Sequence, residues 1–236
     1  MFSLIAFDAD DTLWHNERLY HHGRERFRQL LAEYGIDGVD DARVDAVEVR
    51  NLPYYGYGVM SFILSLIEAG IELTAGRLRS EDVQALLDLG KEMLRAEVEV
   101  YDGVADTLAA LSADYPLMLI TKGDLFHQQF KVAGSGLEGY FSHVEVVSQK
   151  DASTYADILD RHGVDPEKFL MVGNSLRSDV LPVLELGGWG VLVPNELTWS
   201  HESGDLPVDA GERFFEVAGI EQLPGLLAQI GKNKAG

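Results

Sequence analysis

An apolar run at residues 4–7, Leu-Ile-Ala-Phe, stops at Asp8, and a second carboxylate follows at Asp10 before a polar turn at Asp11-Thr12. Side chains alternate along an extended strand, so carboxylates at i and i+2 past its end share one side. Two converging carboxylates repel each other. A hard cation such as Mg2+, with its demand for oxygen ligands, is the simplest way to hold them together. With the charge offset, one aspartate can attack an electrophile while the other moves a proton. The same residues also read as a strand that ends in a solvated acidic turn.

Further candidates fall where later strands are expected to end. Thr121-Lys122-Gly123 closes the strand expected at Leu117–Thr121, and Lys150 lies just past the one at Val144–Ser148. Gly173-Asn174-Ser175 follows Phe169–Val172, with Asp179 in the first turn of the next helix. Singly, each has a plain structural reading as a turn residue, a surface lysine or a tight turn. Together they bring a nucleophile, a proton shuttle, a hydroxyl donor, a cation and additional metal oxygens (Asn174, Asp179) to one edge of one sheet. Ligands of open parallel sheets bind outside the carboxyl ends of the strands.

Two textures alternate along the chain. Residues 15–100 read as helical, with helices expected at Glu17–Tyr34, Asp40–Arg50, Gly58–Ala69 and Ser80–Ala96. Met60, Ile63, Leu64 and Ile67 fit one face of the third, and Val83, Leu86, Leu87 and Leu94 one face of the fourth, with Ser80 as its N-cap. From residue 101 short apolar strands alternate with helices at Asp124–Val132, Asp151–His162, Ser178–Leu186 and Leu223–Ile230. Strands are also expected at Val191–Pro194 and Phe214–Val217, and a frayed tail at Lys232–Gly236. That pattern predicts an α/β fold: a Rossmann-like parallel sheet covered on both faces. The strand at residues 4–7 belongs to the sheet, so the helical block is an insertion. The core is expected at residues 1–14 and 102–236, and the helical domain at 15–101.

A chain of 236 residues with 46% hydrophobic and 25% charged residues can bury a substantial core. It has no cysteine, which excludes disulfides and thiolate chemistry. No basic segment precedes the first apolar run, and no stretch of about 18 apolar residues occurs, so a cytoplasmic location without a membrane span is expected. The formal net charge is −20, from 39 acidic and 19 basic residues. Such a surface repels polyanions, making nucleic acid polymers and anionic membranes poor partners, while a small anion remains acceptable where local cations neutralise it.

This ordered set resembles the haloacid dehalogenase superfamily of phosphohydrolases. Asp8-Ala9-Asp10-Asp11-Thr12 matches its Asp-x-Asp-x-Thr motif, Thr121 the hydroxyl residue closing a strand, and Lys150 the lysine before a helix. Gly173-Asn174 with Asp179 matches the last motif, usually Gly-Asp with a further Asp, except that Asn174 replaces the first carboxylate. The helical block sits where this superfamily carries a helical cap. The resemblance implies Mg2+-dependent hydrolysis of a small phosphorylated metabolite through an aspartyl-phosphate on Asp8, with Asp10 as general acid and base. Mg2+ would be held by Asp8, the Asp10 carbonyl, Asn174 and Asp179; phosphate by Thr121, Lys122, Gly123 and Lys150. A dehalogenase needs no acid for a halide leaving group and lacks the carboxylate at position 10, which favours a phosphatase. A non-catalytic phospho-acceptor module is the other alternative. In the helical block, Tyr54-Tyr55-Gly56-Tyr57-Gly58 reads either as a substrate-stacking loop using Tyr55 and Tyr57, or as a turn whose tyrosines pack inward.

Overall fold

The computed structural model describes residues 2–202, 204 and 211–233. The chain forms two compact units, one from residues 1–17 with 98–236 and one from 18–97.

The first unit is built on a six-stranded sheet: β1 (Leu4–Phe7), β2 (Leu117–Lys122), β3 (His143–Val147), β4 (Phe169–Gly173), β5 (Trp189–Leu192) and β6 (Phe214–Glu216). Their order is β3-β2-β1-β4-β5-β6, and every neighbouring pair is parallel. β1 is central. Its register sets Ile5 beside Leu117 and Leu170, and Phe7 beside Leu119 and Val172. Alternation then sorts the side chains. Ile5, Phe7, Leu119 and Val172 enter one core, while Leu4, Ala6, Met118 and Met171 enter the other. Each large apolar side chain so buried stabilises the fold by about 1.5–3 kcal/mol. β1, β2, β4 and β5 are covered on both faces and carry no polar alternation up to their ends, whereas the edge strands β3 and β6 are partly exposed.

Between the strands lie α5 (Val104–Ser112), α6 (Leu125–Ser135), α7 (Ala152–His162) and α8 (Leu181–Glu185), and α9 (Leu223–Asn233) follows β6. Asp124 and Asp151 cap α6 and α7 by accepting from the backbone N–H of His127 and Thr154. The helix expected to open at Ser178 is instead a wide, π-type turn at Leu176–Val180 leading into α8. α5 lies where no helix is expected. The tail places Lys232 within α9; residues 234–236 lie outside the described residues.

The second unit holds α1 (Glu17–Ala32), α2 (Asp41–Tyr55), α3 (Val59–Leu73) and α4 (Ser80–Leu94). It has its own apolar core, including Phe27, Leu31, Phe62, Leu66 and Leu89. The expected face of α3 is corrected: Ile63 is buried, but Met60 is 53% exposed and Leu64 37%. α3 is apolar nearly all round, and Val59, Phe62, Leu66 and Ala69 win the core face. On α4 Leu87 is exposed, while Leu86, Leu89 and Met93 are buried, and Arg79 rather than Ser80 occupies the N-cap. α2 continues past Arg50 because Asn51 donates to Ser65 Oγ (3.1 Å) and Glu68 Oε2 (2.7 Å), fastening its last turn to α3.

The division falls three residues past Trp14 and four before Asp102. His15 N donates to Glu99 O (2.9 Å) and Tyr101 N to Leu13 O (3.0 Å), which keeps both connecting segments with the sheet unit.

Candidate active site

β1 delivers Asp8 directly. Its backbone N–H still donates to Val172 O (2.8 Å), so the carboxylate sits at the last paired position of the central strand. The chain then turns sharply. Asp11 adopts φ +62, and its carboxylate accepts from the N–H groups of Asn16 (3.0 Å) and Glu17 (3.0 Å), serving the start of α1. Asn195 Nδ2 holds the Asp11 carbonyl from the other side (3.3 Å).

Lys150 is the charge centre. Its side chain is 1% exposed, and Nζ lies 2.5 Å from Asp8 Oδ1 and 2.8 Å from Asp179 Oδ1. Burial pushes the Asp8 carboxyl up from 3.8 to about 7, against the pull of Lys150 and with a further push from Asp179. Lys150 itself stays charged: burial opposes the charge, but the two carboxylates outweigh it. Asp179 is carried by the wide turn after β4, and its Oδ2 accepts from Ser175 N (3.0 Å). Gly173 makes room for it, since a Cβ there would overlap the Asp179 carboxylate. Asp179 therefore meets the expectation of a metal ligand with a different arrangement: both of its oxygens serve Lys150 and the backbone.

The oxygen side of the site is built by Thr12 and Asn174. Thr12 Oγ1 is 3.0 Å from Asp8 Oδ2 and 3.3 Å from Asn174 Oδ1. Asn174 Nδ2 donates to Thr198 Oγ1 (3.3 Å), which turns the amide oxygen toward Asp8. One carboxylate and one amide oxygen brought together at adjacent strand ends suit Mg2+, which takes few protein ligands and completes its shell with water and substrate oxygens. Among the described residues there is no group of three or more His, Cys, Asp or Glu side chains able to hold a metal.

Asp10 points into a separate network. Lys131 Nζ lies 2.6 Å from both of its oxygens, Trp14 Nε1 donates to Oδ1 (2.7 Å), and Gln128 Nε2 to Oδ2 (3.0 Å). Burial alone would raise this carboxyl, but Lys131 and the two neutral donors hold it below the ordinary value. The Asp10 side chain is thus held by Lys131, Trp14 and Gln128.

Thr121 is 1% exposed at the end of β2, and its hydroxyl accepts from Gln128 Nε2 (2.9 Å). Gly123 has φ +139, a conformation that excludes most side chains. Lys122 departs from the expected phosphate contact. Its Nζ binds Ser178 Oγ (2.8 Å) and Glu202 Oε1 (2.5 Å). Burial would raise Glu202, but Lys122 and the hydroxyls of Ser178 and Ser175 hold it at about 2. Tyr55 and Tyr57 belong to the helical unit. There Tyr54 is 81% exposed and Tyr55 51%, so these two do not pack inward.

The sheet unit thus brings Asp8, Lys150, Asp179, Thr12 and Asn174 into one bonded cluster, and Asp10, Thr121 and Gln128 into a second. Sequence reading missed Gln128 and Lys131. On α6 their i, i+3 spacing, seven and ten residues after Thr121, was the available signal. The stretch Trp199-Ser200-His201-Glu202 follows a strand end and reads from sequence as a loop anchor, or else as lining the site; in the structure Glu202 binds Lys122.

Comparison with known proteins agrees with this geometry. The family model for haloacid dehalogenase-like hydrolases matches residues 2–187. The chain belongs to that family and is a hydrolase. A haloacid dehalogenase-like family hydrolase from Xanthomonas campestris is 39% identical, with 98% of each chain covered and a TM-score of 0.86. A glyceraldehyde 3-phosphate phosphatase from Methanothermobacter thermautotrophicus is 23% identical over 209 residues, 84% of this chain and 88% of that protein. A 2-haloacid dehalogenase from Pseudomonas syringae pv. Tomato DC3000 shares the fold at 23% identity and a TM-score of 0.64, with 97% and 99% of the two chains covered. Among the described residues no helix is long and apolar enough to cross a membrane.

Proposed function

We propose that this hydrolase cleaves a small phosphomonoester. Asp8 Oδ2 attacks phosphorus in line, the bond to the leaving oxygen breaks, and the phosphoryl group rests on Asp8. Asp10 donates a proton to the departing alkoxide, then takes one from the water that attacks phosphorus, which releases inorganic phosphate and restores Asp8. Lys150 neutralises charge at Asp8, and the Thr121 hydroxyl holds a phosphoryl oxygen. Mg2+ held by Asp8, Asn174 and the Asp10 carbonyl would supply positive charge against the anionic substrate. Because Lys131 favours the ionised form, only the protonated fraction of Asp10 serves as the acid, and leaving groups that need little protonation are the better substrates.

The observation that carries this reading is the second carboxylate, fixed by three donors two residues beyond the first. A halide leaves without a proton, so dehalogenation has no use for it. The test is a panel of phosphate esters and 2-haloacids with Mg2+ or with EDTA. Phosphate release that EDTA abolishes and Mg2+ restores supports the reading. Halide release without phosphate release would replace it by the dehalogenase, and turnover unchanged by full chelation would remove the metal.

A further inference from the structure

We propose that Gln128 is a positioning residue that turns the Thr121 hydroxyl proton toward the phosphoryl group. The inference rests on the phosphatase reading above and adds to it a residue that acts on the phosphoryl group only through its neighbour Thr121. Gln128 is 2% exposed, and its Nε2 lies within reach of Thr121 Oγ1 (2.9 Å), Asp10 Oδ2 (3.0 Å) and Lys122 O (2.7 Å). The Lys122 carbonyl oxygen only accepts, so it fixes the amide with its nitrogen on this side, where two N–H groups are shared among three acceptors. An amide nitrogen cannot accept a hydrogen bond. The Thr121 O–H therefore points away from Gln128, and among the described residues nothing takes that proton. It is a donor held ready at the carboxyl end of β2. Gln128 Oε1 is buried with no hydrogen-bond partner, a cost that an apolar side chain of similar size would avoid.

The experiment is a double-mutant cycle on Gln128→Met and Thr121→Val, read as the inhibition constant of inorganic phosphate alongside kcat and KM for an aryl phosphate. Methionine fills the space without a donor, and thermal unfolding of each variant confirms the fold. Gln128→Met is expected to weaken phosphate about 10-fold, the range for a hydrogen bond to a charged group. In the Thr121→Val background the same change should weaken phosphate by less than about 2-fold, because the group it orients is gone. Independent losses that multiply in the double variant would overturn the inference, as would unchanged phosphate affinity in Gln128→Met. Failure of the wild-type protein to release phosphate from any ester would instead bring down the phosphatase reading, and this inference with it.

Discussion

Asp8→Asn should abolish turnover and, at neutral pH, stabilise the protein. An amide is a poor nucleophile, so the covalent step is lost. The stability effect follows from the fold. The carboxyl at position 8 rises from 3.8 to about 7, because burial outweighs Lys150. An acid raised in this way holds its proton in the folded state at pH values where the unfolded chain has lost it. Stability therefore falls as pH climbs from about 4 to about 7 and stays reduced above that. At about 1.4 kcal/mol per pH unit the reduction reaches about 4 kcal/mol, already net of the attraction to Lys150. Asparagine resembles the protonated acid. Its oxygen can accept from Lys150, which keeps Asp179, while Thr12 turns its proton to Asn174. Urea unfolding in EDTA at pH 4, 6 and 8 measures the difference. Trp14, Trp189 and Trp199 all lie in the sheet unit, so tryptophan fluorescence follows that unit alone. The two proteins should match near pH 4, and the variant should be more stable by up to about 4 kcal/mol at pH 8. A difference independent of pH, or a variant less stable at pH 8, would refute the reasoning.

Two other substitutions probe the β4 end of the site. Asn174→Asp adds a negative charge on the oxygen side and should lower the Mg2+ concentration for half-maximal activity by about tenfold or more, with a flat or reduced maximal rate; a Mg2+ titration that does not move would place Asn174 outside the cation's reach. Gly173→Ala should force the Asp179 carboxylate off Lys150 and Ser175 N, costing about 1–3 kcal/mol in thermal unfolding together with most of the activity; a variant of wild-type stability and rate would show that the close packing there is dispensable.

The sheet was the most legible part of the chain because β1, β2 and β4 are buried on both faces and their apolar runs are uninterrupted. Helices were legible where a side chain marks the start, as Asp124 and Asp151 do. α5 carries no such mark: Gly103 precedes it with no side-chain hydrogen bond, and the helix is only nine residues long. The face of α3 was misread because Val59, Met60, Phe62, Ile63, Leu64 and Leu66 offer two apolar stripes, and only packing against α2 and α4 chooses between them. In the site, the residues whose types do chemistry stood out, while those that hold them did not. Gln128 and Lys131 look like an ordinary polar helix face, and their role depends on which side α6 presents to β2. Lys122 and Asp179 were credited with ligands because their charges suit them. The structure shows each already taken by a partner distant in sequence, Glu202 for one and Lys150 for the other.

The central place of β1 sets an order of events for a chain emerging from the ribosome. Leu4–Phe7 is made before the other strands, yet its first neighbour starts at Leu117 and its second is complete only at Gly173. In between, α1 to α4 are synthesised, with a core drawn from helices adjacent in sequence that can assemble from local contacts. The strand bearing Asp8 meanwhile waits with four apolar residues and no partner on either side. Parallel pairing over such separations is slow and leaves apolar side chains and unpaired backbone groups uncovered. The segment that starts the catalytic unit is thus among the last to be enclosed, and the nascent chain's exposure to chaperones and to aggregation is concentrated there.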